Sequence, residues 1–106
     1  GSTATGKNIG DDFRERKLTL PVIKAIAAAD DTERAFWHKC IAKGQQKAED
    51  LSHAIALMAR HGTLEATRAE ALYWAKQAKS ALKDLPDHPL KPVLKDLSDY
   101  VVARIN

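Results

Sequence analysis

Gly6-Lys7-Asn8-Ile9-Gly10-Asp11-Asp12-Phe13-Arg14-Glu15-Arg16-Lys17-Leu18-Thr19-Leu20-Pro21-Val22-Ile23 is where this sequence changes character. Residues 1–18 hold three of the five glycines and the charged run from Asp11 to Lys17, with no alanine-rich periodicity. They read as a charged loop. From Thr19 onward the spacing of apolar residues is helical. The Thr19 side chain can accept from backbone N–H groups as an N-cap, and Pro21 is tolerated in a first turn. A first helix is therefore expected from 19 to about 29, stopped by Asp30-Asp31.

Working outward, Asp31 is expected to cap a second helix carrying Phe36, Trp37, Cys40 and Ile41 and ending near Gly44. A third, from about Gln46, sets Leu51, Ala54, Ile55 and Met58 on one face. Gly62 stands where a left-handed residue closes that helix. Thr63 then caps a long fourth helix with the stripe Leu64, Ala71, Ala75, Ala78, Leu82 and Leu85, whose small members let another helix approach closely. Pro86, Pro89 and Pro92 interrupt the helix and restart it. The last helix carries Leu90, Val93, Leu94, Leu97 and Val101 and ends near Arg104. No segment alternates with period two, so the expectation is an all-α chain of about five helices.

The chain has 106 residues, 44% of them apolar and 29% charged, a soluble rather than a disordered composition. Its longest apolar run, Ala25-Ile26-Ala27-Ala28-Ala29, is far short of the roughly 20 residues of a membrane span. The start, Gly1-Ser2-Thr3-Ala4-Thr5, has neither the basic nor the apolar region of a signal peptide. The single Cys40 can form no internal disulfide, which fits a reducing cytoplasm. The net charge is +3, but 17 Lys and Arg residues are mixed with 14 acids and no basic run interleaves with aromatics. That argues for a solvated surface and against a nucleic-acid partner.

Two motifs bear on chemistry. Gly1-Ser2-Thr3-Ala4-Thr5-Gly6-Lys7 matches G-x-x-x-x-G-K, yet the Ser or Thr that should follow is Asn8, and no strand precedes it, so a nucleotide-binding P-loop is excluded. The second is the opening stretch itself. Lys7 and Lys17 flank the paired carboxylates of Asp11 and Asp12 next to a helix start. In isolation this reads first as a charged solvent loop. It also has the residue types that diphosphate chemistry needs: lysines as point charges for non-bridging oxygens, and carboxylates for Mg²⁺, which keeps several waters and takes few protein ligands.

That stretch closely resembles the segment of trans-polyprenyl diphosphate synthases that reads Gly-Lys-x-x-Gly-Asp-Asp-x-x-Glu-Gly-Lys-x-Thr-Leu-Pro and follows their second aspartate-rich motif. The remainder resembles that family's C-terminal helices, including Leu97-Ser98-Asp99-Tyr100-Val101-Val102-Ala103-Arg104. One position departs: Arg16 stands where the family usually has Gly, and Arg tolerates positive φ poorly.

The resemblance implies a Mg²⁺-dependent prenyltransferase that ionises an allylic diphosphate, lets the double bond of isopentenyl diphosphate attack, and releases a proton. It implies that residues 1–18 form a diphosphate- and magnesium-binding loop and residues 19–106 the C-terminal helical part of the synthase domain. Lys7 and Lys17 would contact the allylic diphosphate, Asp12 would support a magnesium ion through water, and Asp11 would stand behind it or cap a helix. Arg104 would point toward isopentenyl diphosphate. Both aspartate-rich clusters would lie upstream of Gly1, so the 106 residues alone are expected to be inactive, and the parent enzyme is expected to be a cytoplasmic homodimer.

The competing reading is a helical subunit without catalysis, the partner in a heteromeric synthase. The retention of Lys7, Asp12 and Lys17 together argues against it. His38, His53, His61 and His88 share no i,i+4 spacing and read as structural or surface residues, and Trp37, Tyr73, Trp74 and Tyr100 as packing residues.

Overall fold

The computed structural model describes the backbone of residues 2–105 and the side chains of residues 8–105. All regular elements among them are helical: α1 (Ser2–Arg14), α2 (Leu20–Ala28), α3 (Asp31–Trp37), α4 (Asp50–Arg60), α5 (Thr63–Lys83) and α6 (Leu90–Ile105), with a π-helical turn, His38–Ala42, continuing α3. The chain divides into two compact units, Gly1–Leu64 and Glu65–Asn106.

The expected loop at the N-terminus is instead largely helix α1, and only the residues after Arg14 leave it. The reason is tertiary. Ile9 and Phe13, one helical turn apart, form a short apolar stripe hidden among charges and glycines. Phe13 is fully buried and Ile9 packs on the same core. Gly10 lies beneath Leu51, where an added Cβ would sit 3.3 Å from Cδ2. The absent side chain thus lets α1 come close to α4, and packing overrides weak local propensity.

The core of the first unit is built around aromatic rings. Phe13 stacks on Phe36 at 6.4 Å and meets Trp37 edge-on at 6.1 Å. Phe36 in turn meets Trp37 at 5.3 Å and His53 at 4.5 Å. Val22 and Ala25 of α2, Ala29 just after it, Cys40 of the π-helical turn, and Ala54, Leu57 and Met58 of α4 complete the buried set. On α4 the expected face largely points inward: Met58 is buried and Leu51 packs on the core, while Ile55 stays exposed.

Boundaries shift where caps and turns decide them. The cap of α3 is Asp30 rather than Asp31; its carboxylate accepts from the Glu33 backbone N–H at 2.8 Å. Helix α4 starts at Asp50, four residues after the expected Gln46, because residues 43–49 are consumed by a loop that reverses at Gly44, φ +69°. Gly62, φ +60°, closes α4 as its position suggested. Buried Glu33 accepts from His61 at 2.7 Å and lies 3.4 Å from the Arg60 guanidinium, which ties the start of α3 to the end of α4. His53 is thus a packing residue and His61 a hydrogen-bonding one.

In the second unit α5 and α6 run past one another, with Ala75, Ala78 and Leu82 facing Leu94, Leu97 and Val101 across a groove. The middle of the small-residue stripe of α5 faces α6 of the same chain. Lys79 and Asp99 pair across it at 2.5 Å. No residue of α6 is fully buried, and Leu90, Val93, Leu97 and Tyr100 are at least half exposed.

Truncating a fully buried aromatic typically costs about 3–5 kcal/mol, a large share of what a domain this small has. Phe13→Ala is therefore expected to unfold the first unit at 25 °C, read as loss of helical circular dichroism. An unchanged urea midpoint would show that α1 is not part of the core.

Candidate functional site

The charged stretch owes its geometry to how α1 ends. The Arg16 N–H donates to the Phe13 carbonyl at 3.0 Å and the Lys17 N–H to the Asp12 carbonyl at 2.9 Å. These are the two bonds of a Schellman closure, with Arg16 as the left-handed residue at φ +62°. A non-glycine residue there costs roughly 1–2 kcal/mol.

Tertiary contacts offset that cost. The Arg16 guanidinium donates from Nε to the Ile41 carbonyl at 2.9 Å and from Nη2 to the Ala42 carbonyl at 2.7 Å. Both acceptors lie at the end of the π-helical turn, where helix carbonyls lack partners. Arg14 donates to the carbonyls of Lys47 and Ala48, each at 2.9 Å, and to Gln46 Oε1 at 3.2 Å. From the other side, Gln46 Nε2 donates to the carbonyls of Phe13 at 2.9 Å and Cys40 at 3.1 Å. A charge-assisted hydrogen bond contributes up to about 1.5–3 kcal/mol, less where solvent competes, so this clamp is large enough to hold Arg16 left-handed.

Past the reversal, Lys17 folds back over the helix end. Its Nζ lies 2.9 Å from Glu15 Oε2 and 3.6 Å from Asp12 Oδ1. The Glu15 carboxylate first, and Asp12 after it, hold the ammonium pKa above its ordinary 10.5, so Lys17 is a cation at any physiological pH. The side chain remains 58% exposed, so it can still meet an anion. Of the residues expected from sequence, the fold brings Asp12 and Lys17 together and adds Glu15. Asp11 is exposed beside them. Lys7 is one turn before Asp11 on the α1 backbone; its side chain lies outside those described. Arg104, exposed in the last turn of α6, belongs to the second unit.

Among the described residues no group of three His, Cys, Asp or Glu side chains converges to hold a metal ion. Asp11 and Asp12 are successive helical positions, about 100° apart around the axis, and Asp12 is turned to Lys17. This donor set suits contact with a hydrated cation through water, and does not build a direct Mg²⁺ site.

Sequence reading missed the residues that position the cluster: Arg14, Gln46 and Asp50. Asp50 Oδ2 accepts from the Lys47 backbone N–H at 2.7 Å and from Lys39 Nζ at 2.9 Å, with the buried Cys40 Sγ 3.8 Å away. It reaches back over the start of α4 as the acid of a capping box does, and it fixes the loop whose carbonyls Arg14 grips. None of the three carries a local signal; in the sequence Gly44 marked only the end of a helix.

The sequence model of the polyprenyl synthetase family matches residues 1–58. The chain is 33% identical over 101 residues to an octaprenyl diphosphate synthase of Haemophilus influenzae, covering 95% of this chain and 30% of that protein. A short chain isoprenyl diphosphate synthase of Methanothermobacter thermautotrophicus is 31% identical over 93% of this chain and 30% of its own length. Among solved structures, a decaprenyl diphosphate synthase from Rhodobacter capsulatus superposes with a TM-score of 0.84 at 58% identity, covering 98% of this chain and 34% of that one. The chain thus spans about a third of the length of these relatives.

The Asp50 carboxyl is held below its ordinary 3.8, chiefly by the Lys47 N–H and then by Lys39. A depressed folded-state pKa means that its stabilisation is complete above about pH 4 and is lost as pH falls through the folded value. Between pH 5 and pH 2 the melting temperature of Asp50→Asn should therefore fall less steeply than that of the unmodified chain. Parallel curves would remove Asp50 from the clamp.

Proposed function

Because the chain belongs to the polyprenyl synthetase family, we propose that it supplies the allylic-diphosphate turn and C-terminal helices of a trans-polyprenyl diphosphate synthase. The observation that carries this reading is the exposed Lys17 ammonium, presented by the reversed end of α1 beside Asp12 and Glu15.

Elongation begins with departure of diphosphate from the allylic carbon, and the negative charge on that group grows through the step. Lys17, fixed as a cation by its carboxylate neighbours, stabilises the charge as it develops. Lys7 is assigned the same role. Stabilisation that strengthens toward the transition state is what accelerates ionisation. Mg²⁺, when bound, adds positive charge at the leaving diphosphate; Asp12 is the residue assigned to it, through water, with Asp11 behind. Arg104 is assigned to isopentenyl diphosphate. No helix among the described residues is long and apolar enough to cross a membrane. A cytoplasmic location and a homodimeric parent complete the proposal.

Alone, the 106 residues with Mg²⁺, an allylic diphosphate and radiolabelled isopentenyl diphosphate should give no extractable product, since they span only about a third of the length of the synthases they match. Substituted for the matched third of the Rhodobacter capsulatus synthase, the chain should support elongation. In that hybrid Lys17→Ala should lower the rate by roughly 10²–10³, the usual effect of losing one charged donor to a developing anion. An active hybrid indifferent to Lys17→Ala would contradict the assignment.

The exposed apolar residues of α6 also have a consequence for the isolated chain, because soluble monomers rarely leave such faces bare. Light scattering at micromolar concentration should give a mass of at least twice 11.7 kDa. A stable monomer that binds no apolar dye would contradict this.

A further inference from the structure

Arg16 holds a left-handed backbone position in the first unit and lies beside a second one. Its φ is +62°, the only positive value outside glycine among the described residues. Gly44, at φ +69°, closes the loop after the π-helical turn directly against it. A Cβ on Gly44 would lie 2.9 Å from Arg16 Nη1, 3.0 Å from Cζ and 3.1 Å from Nε. The guanidinium cannot swing aside cheaply, because Nε and Nη2 are committed to Ile41 and Ala42 at 2.9 and 2.7 Å. Two left-handed residues far apart in sequence therefore interlock, and a glycine is required at one of them so that an arginine can occupy the other.

We propose that Arg16 is a positioning residue that acts through Lys17: locked against Gly44 and the Ile41 and Ala42 carbonyls, it holds the reversed turn that sets the Lys17 ammonium beside Asp12 and Glu15. The connection is direct. The bond from the Lys17 N–H to the Asp12 carbonyl exists only while Arg16 stays left-handed, and the Lys17 side chain returns over α1 from that point. Without the lock, an L-residue at this position relaxes toward negative φ and Lys17 leaves its carboxylates. The inference deepens the diphosphate reading by naming what fixes Lys17. Its test needs no turnover, so a failure of the prenyltransferase reading would be seen separately.

The test uses the 106-residue chain and two NMR readouts: exchange of the Lys17 amide relative to other α1 amides, and nuclear Overhauser contacts from the Lys17 side chain to those of Asp12 and Glu15. In Arg16→Ala, amide exchange at Lys17 should accelerate by roughly tenfold to a hundredfold, as expected for losing two charge-assisted bonds. The Overhauser contacts of the Lys17 side chain with Asp12 and Glu15 should also be lost, because the carboxylates no longer face it. Gly44→Ala should do the same at a distance, by displacing the guanidinium.

Arg16→Gly should keep Lys17 protected, since glycine adopts the left-handed turn without an anchor. In that background Gly44→Ala should have no further effect on Lys17. If Arg16→Ala fails to fold, the two glycine-based variants decide alone. A general loss of melting temperature with Lys17 exchange and side-chain contacts unmoved would reduce Arg16 to a stabilising contact and overturn the proposal. So would Gly44→Ala acting equally with Arg or Gly at position 16.

Discussion

A chain reversal at Arg16 organises the charged end of the first unit. An L-residue in the left-handed region is unfavourable by itself, and the reversal exists because three side chains bind it to the segment on the other side. Arg14 and Arg16 reach out to the carbonyls of residues 41, 42, 47 and 48, and Gln46 reaches back to Phe13. The π-helical turn contributes by ending in carbonyls with no helical partner, and Asp50 keeps the receiving loop closed. Remove this set and Asp12, Glu15 and Lys17 become separate charges on a fraying helix end.

The clamp also links packing to chemistry. Phe13 is at once a fully buried member of the aromatic cluster and the acceptor, through its carbonyl, for both the Arg16 N–H and Gln46. The rigid core therefore lies immediately beside the exposed cation. Under the proposed function that charge meets a developing anion, and it acts best when its position is fixed before the anion forms.

Much of this was legible in residue patterns and some was not. The five helices after Thr19 followed from apolar spacing, because long periodic segments declare themselves. Helix α1 did not, since its buried stripe is only Ile9 and Phe13 set among glycines and charges. The stop at Gly44 was visible, but the length of the loop beyond it depended on Asp50, Gln46 and Lys47 meeting partners more than thirty residues away or across a turn. For the site, the stretch around Asp11, Asp12 and Lys17 resembles the synthase segment on which the proposed diphosphate role rests, and Arg16 stands there in place of the usual Gly. What Arg16 touches could not be read, because Ile41, Ala42 and Gly44 come beside it only in the folded chain.

The central claim is that a tertiary hydrogen bond from Arg16 holds the turn, and scalar coupling across hydrogen bonds measures that directly. In the 106-residue chain, a long-range nitrogen–carbonyl correlation should connect Arg16 Nε to the Ile41 carbonyl and the Lys17 amide to the Asp12 carbonyl. Finding the second without the first would mean that the turn closes by itself. Finding neither in a folded chain, with Arg16 at negative φ, would contradict the account outright.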